Sequence, residues 1–210
     1  MISHRFRFIF VHNPKTAGSA IRETIRKIDP EAAEECMPHI HMTAWEHKLA
    51  YPNEFDEYYK FGFVRNPWDL IVSHYFYHRD AIKVPVPSIN DYLHGNLSLN
   101  EKMFVYPCKS FFTTQEGENI MDDIFRYEDL HKSWLGIVKR LNLPISVKKL
   151  LVENATKHNH YSTYYKDQEA VENVRKFFAW TIDKFGYKFE PTYNVDKYRT
   201  KVQSILKQRR

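Results

Sequence analysis

Residues Phe8-Ile9-Phe10-Val11-His12-Asn13-Pro14-Lys15-Thr16-Ala17-Gly18-Ser19-Ala20-Ile21 constrain this chain more than any other stretch. An apolar run of strand type enters a short Pro-Lys-Thr-Ala-Gly-Ser loop, and a helical pattern follows at once. A strand–loop–helix of this kind turns backbone N–H groups, a lysine and two hydroxyls toward one point, which is how a chain holds a phosphate-like anion. The order of the residues limits which anion. A nucleotide loop of the Walker type places glycines before its lysine. Here Lys15 comes first, Gly18 follows, and no glycine precedes them. Ordinary ATP or GTP hydrolysis is therefore disfavoured.

A second segment has the same build. Phe61-Gly62-Phe63-Val64 reads as a strand, and Arg65-Asn66-Pro67-Trp68-Asp69-Leu70-Ile71-Val72-Ser73-His74-Tyr75 reads as a helix start with Ser73 eight residues after Arg65. Asparagine caps, proline suits the first helical position, and Asp69 complements the helix dipole. Lys-Thr-Ala-Gly-Ser after a strand resembles the 5′-phosphosulfate loop of sulfotransferases that use 3′-phosphoadenosine 5′-phosphosulfate (PAPS). The Arg-Asn-Pro segment resembles that family's 3′-phosphate segment. Two such motifs in the right order, about 50 residues apart, place the resemblance in the compact branch that includes many bacterial and carbohydrate enzymes. Weaker echoes are Phe125-Arg126-Tyr127-Glu128-Asp129-Leu130, His160-Tyr161 through Tyr165, and Phe185-Gly186-Tyr187-Lys188-Phe189. Many relatives carry arginine where this chain has Leu70, a departure that bears on a local ion pair.

The resemblance implies an α/β, P-loop-like three-layer fold with a central parallel sheet flanked by helices. It covers roughly residues 5–190 and implies one sulfotransferase domain over 1–190, followed by a basic C-terminal helix or tail over 191–210. It implies PAPS as sulfuryl donor, adenosine 3′,5′-bisphosphate (PAP) as product, and no required metal. Pro14, Lys15, Thr16, Ala17, Gly18, Ser19 and Ala20 would hold the 5′ end, with Lys15 also the catalytic cation beside the bridging oxygen. Arg65 and Ser73 would bind the 3′-phosphate. Tyr161 is a candidate contact to the 3′-phosphate or adenine. The base is expected to be His41, just before a Thr-Ala helix start, with His39 as the alternative. The acceptor is a hydroxyl, of a carbohydrate or a small molecule.

Composition agrees with a folded domain. Hydrophobic residues make up 43% of 210 residues, enough for one sizeable core. A formal charge of +5 suits a polyanionic ligand and is too small to imply nucleic acid. Cys36 and Cys108 are expected as free buried thiols of a reducing compartment. No secretory signal or 18-residue apolar run is legible, so the expectation is a soluble cytoplasmic protein without a transmembrane segment. Two rival readings remain. One is a protein that binds the nucleotide without turnover. The other is an atypical P-loop kinase, for which Asp122-Asp123 would supply the magnesium carboxylates. A metal at His39, His41 and His47 is a further minor alternative.

Along the chain, strands are expected at 5–12, 60–64 and 121–125. Helices are expected at 18–28, 43–50, 66–80, 88–94, 98–104, 128–141, 167–185 and 194–208, with 29–42 a loop. Alternation of this kind indicates a parallel α/β sheet with ligands at the carboxyl ends of its strands.

Overall fold

The structure, a computed structural model, describes residues 1–34, 41–95, 106–150 and 158–191. The expected helices at 98–104 and 194–208, together with Cys36 and His39, lie outside the described residues.

Chain order begins with β1 (Ile2–Ser3), β2 (Phe8–Val11), α1 (Gly18–Arg26), α2 (Pro30–Glu34), α3 (Ala44–Ala50), α4 (Pro52–Glu57) and β3 (Tyr59–Val64). It continues with α5 (Pro67–Phe76), a π-helical turn (Tyr77–Ile82), α6 (Ile89–His94), α7 (Lys109–Phe112), β4 (Asp123–Arg126), α8 (Leu130–Arg140), α9 (Gln168–Phe177) and α10 (Ala179–Phe185). The four strands form one sheet in the order β1-β2-β3-β4. The pairs β2–β3 and β3–β4 are parallel, with Val11 opposite Gly62 and Val64 opposite Arg126. The expected all-parallel sheet is corrected at one edge, where β1 pairs antiparallel to β2 through Ile2–Ile9 and Ser3–Phe8. Only a short turn joins these two strands. A parallel crossover needs a dozen residues or more, so β1 has to return antiparallel.

Both faces of the sheet are covered, which is why β2 reads as an unbroken apolar run. Phe8, Phe10, Phe61 and Phe63 face one core, shared with Ile21 and Ile25 of α1 and Trp134, Ile137 and Val138 of α8. Ile9, Val11 and Val64 face the other, shared with Trp68, Ile71 and Val72 of α5 and Val171 and Val174 of α9. Leu70, where relatives carry arginine, is buried in this second core. Trp68 and Trp134 are fully buried, and each indole N–H donates to a backbone carbonyl, Val171 O at 3.0 Å and Val147 O at 2.7 Å. A buried indole needs such a partner.

The expected helices 18–28, 43–50 and 88–94 appear as α1, α3 and α6. The segment 29–42 is not all loop, since α2 forms inside it. The expected 167–185 helix is two helices, broken at Phe178 (φ −108°, ψ 23°). The 66–80 helix is α-helical only to Phe76 and then widens into the π turn. Among the described residues, no helix is long and apolar enough to cross a membrane.

Because β2, β3 and β4 run parallel, the loops after Val11, Val64 and Arg126 all leave the same edge of the sheet. The two sequence motifs meet there.

Candidate functional site

The loop between β2 and α1 is held in an uncommon shape. Lys15 (φ 62°) and Ala17 (φ 67°) are both left-handed, while Thr16 between them is not. Left-handed backbone costs a non-glycine residue roughly 1–2 kcal/mol. Alternation of left- and right-handed residues bends successive N–H groups into a concave nest suited to an anion. Ala17 is the N-cap of α1 and no side chain caps that helix. The first helical bond is Ile21 N–H to Ala17 O at 3.1 Å, so the N–H groups of Gly18, Ser19 and Ala20 are the usual orphan donors of a helix start. Thr16 is fully buried. Its hydroxyl donates to Asn13 O at 2.7 Å and ties the loop to itself. Asn13 in turn donates to Phe63 O at 3.1 Å, fixing the loop to the neighbouring strand.

Arg65 leaves the end of β3 and reaches this loop. Its Nη1 donates to the Lys15 carbonyl at 3.1 Å. Its Nε and Nη2 both meet Asp69 Oδ2, at 2.8 Å and 2.7 Å, and its guanidinium lies 4.6 Å from the centre of the Tyr127 ring. Only 11% of the Arg65 side chain is exposed, so these contacts set its position. Lys15 itself extends over Tyr77, with Nζ 3.8 Å from the ring centroid. Burial and the Arg65 charge lower its pKa from 10.5 to about 8. Two cations converge and Asp69 matches one of them, which leaves net positive charge for an incoming anion.

Arg65, Asp69, Ser73 and Tyr77 are spaced four apart, Arg65 just ahead of α5, Asp69 and Ser73 on one face of it and Tyr77 at its end. The two ends of that row hold the backbone and the ammonium of Lys15. Ser73 lies between them, 2% exposed, and its hydroxyl has no hydrogen-bond partner among the described residues. Asn66 caps α5 as the sequence suggests, accepting from Trp68 N and Asp69 N. Asp69 pairs with Arg65, a stronger commitment than the dipole alone provides.

His41 lies against the same loop. Its Nδ1 is 3.0 Å from His12 O. A carbonyl only accepts, so Nδ1 carries a proton, and in the neutral ring Nε2 is then the basic atom. Its ring is 4.4 Å from that of His12. The His12 ring packs directly on Gly18, where an added Cβ would fall 1.8 Å from its atoms. His41 is placed by α3, whose start is a capping box: Thr43 Oγ1 accepts from Glu46 N at 3.1 Å, and Glu46 Oε2 accepts from Thr43 N at 2.6 Å.

Tyr161 packs near the start of α5 and is buried. Its hydroxyl accepts from Glu190 N at 2.8 Å, and its pKa is raised, first by burial and further by the charges of Glu190 and Asp69. Arg126 and Glu128 do not form a buried ion pair. They are 3.7 Å apart and 42% and 35% exposed. Glu128 serves instead as an acceptor for Asn66 N and Tyr187 Oη, both at 2.7 Å. Cys108 is a buried free thiol, pushed up to about 11 by burial. Among the described residues, no group of three or more His, Cys, Asp or Glu side chains could hold a metal ion.

The chain is 30% identical over 93 residues to an uncharacterized protein of Archaeoglobus fulgidus, an alignment spanning 43% of this chain and 72% of that one. The two proteins belong to one family. No family model matches the chain, and no solved structure matches it.

Sequence reasoning missed Asp69 as a partner of Arg65, and it missed Tyr77, Tyr127 and His12. The four-residue spacing from Arg65 to Tyr77 was a usable signal for the first two. Tyr127 and His12 had none, since Tyr127 meets Arg65 from the loop after β4 and His12 meets His41 from a segment 29 residues on.

The Lys15 charge also makes a pH prediction. Its pKa in the folded chain lies below its unfolded value, so burying the cation opposes folding at neutral pH, and that penalty disappears as pH rises from about 8 toward 10.5. An anion bound at the site favours the protonated lysine. Anion affinity is therefore expected to be full below about pH 8 and to fall as pH rises above it, as calorimetric titrations between pH 6.5 and 9.5 would show. A flat profile would remove Lys15 from the anion site.

Proposed function

We propose that this protein is a PAPS-dependent sulfotransferase acting on an acceptor hydroxyl of a carbohydrate or small molecule. The observation that carries the reading is the Arg65–Lys15 hydrogen bond. It joins the two resembling motifs at one sheet edge, which a nucleotide with a 5′ and a 3′ anion requires. In this reading the nest over 14–20 takes the 5′-phosphate through backbone N–H groups and the Ser19 hydroxyl, with the Thr16 hydroxyl already engaged. Arg65 and the Ser73 hydroxyl, without a partner among the described residues, take the 3′-phosphate. Sulfuryl transfer then follows the logic of phosphoryl transfer, where positioning and charge stabilisation dominate. The acceptor oxygen attacks sulfur and passes its proton to His41 Nε2. The bond from sulfur to the 5′-phosphate oxygen breaks, the bisphosphate leaves, and Lys15 offsets the charge that grows on the bridging oxygen.

The kinase alternative loses support from the placement of Asp122 and Asp123. They stand at the amino end of β4, where Asp123 pairs with Phe61, while the Lys15 loop leaves the carboxyl edge. Asp122 accepts from Lys60 N at 2.7 Å and Asp123 from Tyr59 Oη at 2.7 Å, so both are structural ligands of neighbouring groups.

The test is thermal unfolding with adenosine 3′,5′-bisphosphate against ADP. A ligand at 100 times its Kd stabilises the fold by about 2.7 kcal/mol. The bisphosphate is expected to raise the melting temperature by several degrees at concentrations where ADP has little effect. Equal shifts would remove the 3′-phosphate assignment. Tight bisphosphate binding with no radiolabelled sulfate transfer to glycans, phenols or steroids would favour the binding protein over the enzyme.

A further inference from the structure

We propose that Tyr77 is a positioning residue for Lys15, its ring face holding the lysine ammonium at the mouth of the loop. The role in anion binding rests on the reading above, while the contact itself does not. Lys15 Nζ stands 3.8 Å from the Tyr77 ring centroid, well inside the range where a ring quadrupole attracts a cation. Among the described residues no carboxylate is paired with Lys15. The neighbouring charges either oppose it or are spent elsewhere. Arg65, ahead of α5, repels it. Asp69, in the first turn of α5, is bound to Arg65, and Asp80, beyond Tyr77, is bound to Arg79. His78 meets Tyr77 edge-on at 5.5 Å, and its Nδ1 donates to His74 O at 3.0 Å. The loop from Asn13 to Ala20 holds no titratable group besides Lys15.

Tyr77 is not a core residue. It belongs to neither apolar cluster and is only half-buried, and among the described residues its cation and aromatic contacts are Lys15 and His78. It also stands where α5 changes from α to π winding, a distortion that concentrates at functional sites. The segment from Arg65 to Tyr77, either end of α5, thus fixes Lys15 twice, by Arg65 on its carbonyl and by Tyr77 on its ammonium.

The experiment is competitive acylation of the full chain with acetic anhydride over a pH series, reading the Lys15 peptide by mass spectrometry. The pH midpoint reports protonation, and the plateau at high pH reports access. Tyr77→Leu is expected to move the Lys15 midpoint down and to speed labelling at pH 7 about three-fold or more, while Tyr77→Phe keeps the wild-type midpoint. Tyr77→Gln serves as a second non-aromatic variant where Tyr77→Leu fails to fold. A wild-type midpoint in the non-aromatic variants, or a midpoint in Tyr77→Phe as low as in Tyr77→Leu, overturns the proposal. Adenosine 3′,5′-bisphosphate is expected to protect Lys15 in the wild type. Failure of protection with the midpoint shift intact would count against the nucleotide and leave the Tyr77 contact standing.

Discussion

Replacing Arg65 by alanine is expected to cost adenosine 3′,5′-bisphosphate binding about 2–5 kcal/mol, the usual penalty for truncating one member of a desolvated, hydrogen-bonded charge pair. Three losses coincide. The guanidinium that would meet the 3′-phosphate is gone, and the Lys15 carbonyl loses its 3.1 Å donor. Asp69, whose side chain is 22% exposed, becomes an uncompensated carboxylate beside the incoming phosphate. Arg65→Lys is expected to recover little, because an ammonium cannot span Asp69, the Lys15 carbonyl and the Tyr127 ring as a planar fork does. Isothermal titration with the bisphosphate and with ADP checks this. The bisphosphate is expected to lose at least ten-fold more affinity than ADP, and parallel losses would show that Arg65 only supports the loop.

Gly18→Ala is expected to destabilise the fold by about 3 kcal/mol or more, at or above the upper end of the usual cost of overpacking. The added Cβ would stand 1.8 Å from His12 Cδ2 and Nε2. That ring is 5% exposed and held between Phe10, at 5.8 Å, and His41, at 4.4 Å. It has nowhere to swing without moving the candidate base. Ala17→Gly one residue earlier is the opposite case, since φ is 67° there and glycine adopts that backbone without penalty. Denaturant unfolding of the two variants separates them. A Gly18→Ala protein as stable as the wild type would mean the His12–Gly18 contact is not fixed.

Local patterns in the sequence were reliable where one element carried the whole signal. Asn66-Pro67 gave the start of α5 to the residue, and the Thr43-Ala44 pair marked that of α3. The buried strands β2 and β3 read from their apolar runs, although the 5–12 reading runs past β2 into the turn before it. Failures came where a neighbour decided the outcome. The break at Phe178 is invisible in an amphipathic pattern that keeps period through it, because both halves bury the same face. Glu128 reads as a partner of Arg126 by proximity in the chain, yet Asn66 N and Tyr187 Oη claim it across the sheet edge.

The amino-acid order alone determined that two strand–loop–helix units each carry a cation after the strand, because capping, apolar period and the placing of Lys15 and Arg65 are local properties. Only the tertiary structure decided that these two units meet. Parallel pairing of β2 with β3 sends both loops off the same edge, and Arg65 can then reach the Lys15 carbonyl across 50 residues of chain. Strand pairing is a choice among distant segments, fixed by burying Phe8, Phe10, Phe61 and Phe63 together on one face, and no single stretch of sequence carries that information.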